Sequence, residues 1–159
     1  MRVGIIGDRP EKVSEWSSRE NKLLRKRIRE LILSWPGEKI CCSGMELGPE
    51  LFISAICFWE NIPLISYLPY WDWNQSWDQE NLSISQKLLR KSKEITYIHN
   101  GPYNGPRCLF NKNQAILAWL QEESTSTLLA VWNGQKKSPT WDSIYRAQLK
   151  KIKVISISP

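Results

Sequence analysis

Three stretches of this chain join a short apolar run to small or glycine residues and then to a helix start. The first is Val3-Gly4-Ile5-Ile6-Gly7-Asp8-Arg9-Pro10, and the second is Ile40-Cys41-Cys42-Ser43-Gly44-Met45-Glu46-Leu47-Gly48. The third is Leu128-Leu129-Ala130-Val131-Trp132-Asn133-Gly134, with Ser138-Pro139-Thr140 soon after. A buried strand that ends at such residues and feeds a helix leaves backbone N–H groups free, and these attract phosphates and other anions. Three such ends on one edge of a parallel sheet would line a ligand crevice. A nucleotide-like ligand is therefore the first expectation. Arg9 adds a guanidinium able to fork onto a phosphate or carboxylate. The plainer reading of Gly7-Asp8-Arg9 is a tight turn with an exposed Arg.

Other polar residues are placed to join that crevice. Gly44 and Gly48 permit close backbone approach beside Ser43 and Met45, and Pro49 suits a first helical position. Glu50, in the first turn, either accepts ribose hydroxyls or complements the helix dipole. The loop Pro69-Tyr70-Trp71-Asp72-Trp73-Asn74-Gln75-Ser76-Trp77-Asp78 is dense in aromatic rings that can stack on a base. Asp72 and Asp78 beside them could read hydroxyls or amino groups. A loop folded over its own apolar cluster is the simpler account for two of these Trp residues, and Trp77 is the one expected at the site. Asn111 is expected to cap a helix, whereas Asn113 is expected to face the crevice. The loop from Gly134 to Thr140 either contacts phosphate or makes an ordinary surface connection capped by Ser138.

The elements that would position these residues alternate along the chain. Strand signals occur at residues 2–6, 39–42, 63–68, 94–98, 127–132 and 153–157. Several are continuous apolar runs, as expected for strands covered on both faces. Helical signals fall at about 19–35, 49–59, 84–91, 109–120 and 140–150. The first carries Leu23, Leu24, Ile28, Leu31, Ile32 and Trp35 at near 3.6-residue spacing, a Ser17/Glu20 capping box and a Pro36-Gly37 stop. Residues 8–16 read as a long loop, and a second long loop covers residues 99–107. The pattern predicts one domain over residues 1–159: a doubly wound α/β fold with a mostly parallel sheet and helices on both faces.

Composition narrows the classes. The 159 residues carry 22 Lys and Arg against 16 Asp and Glu, a net charge of +6, which suits an anionic ligand or solvated basic helix faces. The basic runs near residues 22–27, 87–93 and 150–153 alternate with apolar positions, so nucleic acid is a minority expectation. Four cysteines without a C-x-x-C pair, and a single histidine, His99, argue against a structural metal. The same cysteine pattern suits a reducing cytoplasm. No apolar run is long enough to span a bilayer, and the first residues read as a strand rather than a signal peptide.

At these residues the sequence resembles the SLOG superfamily, which includes the DNA-processing Smf/DprA Rossmann domain, the LOG phosphoribohydrolases and the small YpsA-like proteins. The YpsA-like branch is the nearest in pattern, over nearly the whole chain. The resemblance rests on Ile6-Gly7-Asp8-Arg9-Pro10, on Ser43-Gly44-Met45-Glu46-Leu47-Gly48-Pro49-Glu50, and on Leu68-Pro69 followed by Trp77. It also rests on Lys112-Asn113 and on Trp132-Asn133-Gly134 through Pro139-Thr140 to Ala147. It implies a Rossmann-like fold, a nucleotide-derived ligand such as an NAD- or ADP-ribose-related molecule, a role in defence or stress signalling, and homo-oligomers. The chain departs from the pattern at Glu50, where Asp often follows the second-loop Gly. Lys112-Asn113 replaces an Arg-Asn pair and Pro139-Thr140 a Gly-Thr pair. The catalytic Glu of the phosphoribohydrolases falls at Ser143, which argues for binding over cleavage.

The expected ligand contacts are therefore Gly7, Asp8, Arg9, Ser43, Gly44, Met45, Glu50, Pro69, Trp77, Asn113, Gly134 and Thr140. Phosphates would lie over the Gly7, Gly44 and Gly134 loops, sugar hydroxyls on Asn113 and Glu50, and the base under Trp77. Two other expectations stand beside this one. An N-glycosidic hydrolase or transferase would draw its carboxylate from Glu50, Asp8 or Asp142, and a nucleic-acid module would use the basic helices.

Overall fold

Continuous apolar strands need cover on both faces, and the chain provides it. The computed structural model describes residues 1–9 and 19–158. Its elements are β1 (Arg2–Gly7), α1 (Arg19–Ser34), β2 (Ile40–Ser43), α2 (Pro49–Trp59), β3 (Leu64–Leu68) and α3 (Gln79–Lys91). They continue as β4 (Glu94–Tyr97), α4 (Arg107–Gln121), β5 (Ser126–Val131), α5 (Pro139–Leu149) and β6 (Lys153–Ile157). The strands form one sheet in the order β4-β3-β2-β1-β5-β6, and every pairing is parallel. Chain order reverses between β1 and β5, which sets the crevice of a doubly wound sheet there. Pro10, Ser17 and the Glu20 side chain, and with them the capping box and most of the first long loop, lie outside the described residues.

Side-chain alternation on β1 separates two cores. Val3 and Ile5 belong to the same buried cluster as Leu24, Ile28 and Ile32 of α1, Ile53 of α2 and Leu88 of α3. Ile6 faces Ile116, Leu117 and Leu120 of α4 and Ala147 of α5. Each fully buried Leu or Ile contributes about 1.5–3 kcal/mol relative to leaving it in water. Gly4 shows how closely α4 sits: a Cβ there would lie 2.7 Å from Leu120 Cδ1 and 2.9 Å from Ile116 Cγ2. All four cysteines are free and buried. Burial pushes the Cys42 thiol up, and a hydrogen bond with Cys41, followed by burial, does the same for Cys57. These thiols behave as small apolar groups.

Two helix starts differ from the sequence expectation. Helix α3 begins at Gln79, ahead of the expected residue 84, because Asp78 caps it by accepting from Asn81 N at 2.9 Å. Its first two residues, Gln79 and Glu80, are polar and exposed, so no apolar period reveals the start. Helix α4 begins at Arg107, directly after Pro106, so Asn111 lies inside the helix on an exposed face and caps nothing. Among the described residues no helix is long and apolar enough to cross a membrane.

Candidate functional site

The loops after β1, β2 and β3 and the starts of α4 and α5 meet at the carboxyl edge of the sheet. They enclose two adjoining clefts. The larger, about 660 Å³, is lined by polar Asp8, Arg9, Glu46, Asn113 and Thr140 with Gly7, and by apolar or aromatic Tyr103, Pro106, Leu109, Phe110 and Pro139. The smaller, about 330 Å³, is formed by Pro69, Tyr70, Trp73, Ser76, Trp77 and Asp78 with Leu47. Arg9 and Glu46 border both.

Local hydrogen bonds hold the larger cleft open. Asp8 ties the ends of β1 and β5: its N donates to Val131 O at 2.9 Å, and its Oδ2 accepts from Asn133 N at 2.9 Å. Ser138 caps α5 by accepting from Trp141 N at 3.1 Å, which leaves Pro139 and Thr140 at the cleft edge. Asn113, in the second turn of α4 and 6% exposed, donates its Nδ2 to Ser143 Oγ at 3.0 Å. Ser143 in turn donates to Pro139 O at 3.0 Å. With its own hydrogen committed, the hydroxyl can only accept from Asn113, which sets the amide orientation. Asn113 Oδ1 is thereby left buried with no partner. An unpaired buried acceptor costs about 1–3 kcal/mol, so a donor entering the cleft would recover that loss. The other unpaired buried atom among the described residues, Gln114 Nε2, belongs to a residue that borders neither cleft.

Beneath the clefts lies an ion triad. Lys112 is fully buried, and its ammonium meets Glu46 Oε2 at 2.5 Å and Glu50 Oε1 and Oε2 at 2.8 and 3.0 Å. The side chain reaches from α4 on one face of the sheet to α2 on the other, passing the end of β2 at Gly44. A Cβ on Gly44 would lie 2.6 Å from both Lys112 Nζ and Glu50 Oε2. Burial raises the Glu50 carboxyl above the usual range against the pull of Lys112. Burial alone would lower Lys112, but the charges of Glu46 and Glu50 outweigh it and hold the ammonium protonated. An acid raised in the native state loses stability as pH rises from its unfolded value through its native one. Wild type should therefore lose stability relative to Glu50→Gln as pH rises from the ordinary carboxylate range toward neutrality. Urea unfolding of both proteins across that range checks this, and a flat difference would remove the argument.

The expected contacts divide between cleft and interior. Gly7, Asp8, Arg9, Asn113 and Thr140 border the larger cleft, and Arg9, Pro69 and Trp77 border the smaller. Ser43, Gly44, Met45 and Glu50 do not line either. Ser43 Oγ accepts from Met45 N at 3.0 Å, and Met45, at φ 57°, turns its side chain into the core. Glu50 was expected to read sugar hydroxyls, but its carboxylate is spent on Lys112. Gly134 supplies a left-handed turn (φ 89°) on the exposed β5–α5 loop and borders no cleft. Trp77 packs edge-on against Trp73, with ring centroids 4.7 Å apart. Asp78, an expected reader of hydroxyl or amino groups, spends its carboxylate on capping α3. The residues sequence reasoning missed are Glu46 and the apolar lining residues Tyr103, Leu109 and Phe110. Glu46 lies inside the motif already singled out, and Leu109 and Phe110 come to the cleft on the first turn of α4, which starts earlier than expected, after Gly105-Pro106.

Fold and site together define a doubly wound α/β domain with its clefts at the carboxyl edge of the sheet. The X-ray structure of DNA processing protein A (DprA) from Streptococcus pneumoniae has the same fold, with a TM-score of 0.66 and 13% identity. The match covers 98% of this chain and 49% of that one, so this chain spans about half the length of that protein. At this identity the likeness is one of fold. No family model and no curated protein matches the sequence.

Proposed function

We propose that this chain is a SLOG superfamily member of the small YpsA-like kind that binds a nucleotide-derived small molecule, of the NAD or ADP-ribose type. The observation that carries the reading is the buried, unpaired Asn113 Oδ1 beside a cleft lined by both polar and apolar side chains. A sugar hydroxyl or an amino group donates to it. Asp8 and Glu46 offer further acceptors, and Tyr103 and Phe110 offer ring faces for a base. Arg9, at the junction of the two clefts, takes the phosphates, which replaces the expected Gly44 and Gly134 cradles. A ligand with a second ring system extends past Arg9 toward Trp73 and Trp77.

Binding is favoured over bond cleavage because position 143 holds a buried Ser whose hydroxyl is already engaged on both sides. Four free, buried thiols suit a reducing compartment such as the cytoplasm. Calorimetry with AMP, ADP-ribose and NAD tests the reading. At least one should bind, and Asn113→Ala should weaken it roughly 10-fold, the worth of one hydrogen bond to a buried acceptor. Absence of binding by all three at millimolar concentration, or full affinity in the Asn113 variant, would count against it.

A further inference from the structure

The opposite, amino-terminal edge of the sheet carries a feature that the ligand clefts do not explain. Helix α2 ends on Trp59, which is 68% exposed. Beside it runs a groove of about 550 Å³ with Phe58, Ile62 and Pro63 on its sides and Leu64 and Leu88 on its floor. Lys91 and Lys93 border the same groove, and no carboxylate does. Neither Lys forms an ion pair among the described residues. A second depression, lined by Gly37, Glu38 and Lys39, adjoins the groove and shares Asn61, Ile62, Pro63 and Lys93 with it.

Large exposed apolar side chains beside a concave apolar surface mark interaction sites, and Trp is the residue type most enriched among those that carry binding energy. A Trp at the rim of a groove whose lysines are free selects its partner by charge as well as by apolar burial. We propose that this groove docks an acidic peptide segment from another protein. One bulky apolar side chain of the segment packs against Trp59 over Leu64 and Leu88, and flanking Asp or Glu residues meet Lys91 and Lys93. The groove lies at the sheet edge remote from Arg9 and Asn113, so the partner and the small molecule can be bound together.

Panning a random peptide library on the full chain tests this, followed by calorimetry on a synthesised enriched peptide. The expected consensus has one bulky apolar residue flanked by at least two acidic ones. Trp59→Ala should weaken that peptide by roughly 10-fold or more, and Lys91→Glu with Lys93→Glu should abolish its capture. Affinity should fall as salt rises from 0.05 to 0.5 M, since exposed ion pairs are screened. Thermal melts of the variants should match wild type, because all three side chains are exposed. The proposal is overturned if no peptide is enriched, if the enriched peptides lack acidic residues, or if Trp59→Ala binds them undiminished. It is equally overturned if sedimentation shows that Trp59 serves self-association of this chain.

Discussion

Lys112→Met is expected to lower the stability of this protein by about 3–5 kcal/mol, the cost of removing one partner from a buried ion pair. The ammonium is wholly buried and makes three contacts with two carboxylates. Without it, Glu50 keeps a carboxyl that is 1% exposed, with Glu46 N, at 3.4 Å, as its remaining donor. Glu46, 23% exposed at its side chain, can turn toward solvent, so the loss falls mainly on Glu50. Adding Glu50→Gln to Lys112→Met should recover much of the stability, because a neutral amide needs far less solvation than a charge. Denaturant unfolding of the single and double variants measures both effects. A Lys112→Met protein as stable as wild type would mean that the triad is solvated.

Gly44→Ala is the second large effect, and its expected cause differs from the one the motif suggests. A glycine in a loop after a strand reads as room for a ligand's phosphate. In the fold that room is filled by Lys112, whose Cδ lies 2.2 Å from where the new methyl would stand, and by Glu50, whose Oε2 lies 2.6 Å from it. The Ala variant should lose about 1–3 kcal/mol, as overpacked interiors do. The loss should appear in the unfolding midpoint of the ligand-free protein. It should also shrink when Lys112 is already Met, whose flexible thioether can move aside. A double-mutant cycle reads that coupling directly, since contacting residues fail to add. Additive losses would separate Gly44 from Lys112.

The two effects show why part of the site was legible in the sequence and part was not. Gly7, Asp8, Arg9 and Thr140 stand at ends of elements, where the change from apolar run to turn residues marks the carboxyl edge of a parallel sheet. Their meeting in one cleft follows from topology that alternation of strand and helix already implies. Asn113 was legible as a polar residue that capping does not explain. Glu50 and Lys112 were not, because a charge in a first helical turn and a charge mid-helix look alike whether they face water or each other. Their pairing joins residues 62 apart, from helices on opposite faces of the sheet. Asp78 illustrates the same limit: its residue type suits a base-binding loop, yet its carboxylate caps α3.

By itself the sequence determined the six strands, the five helices, their order and their two-faced burial. These depend on local periodicity and on turn residues a few positions apart. Only the tertiary structure decided which polar side chains reach the cleft and which are consumed beneath it. That choice depends on distances between elements far apart in the chain. It also depends on burial, which turns a charge from a ligand contact into half of an ion pair.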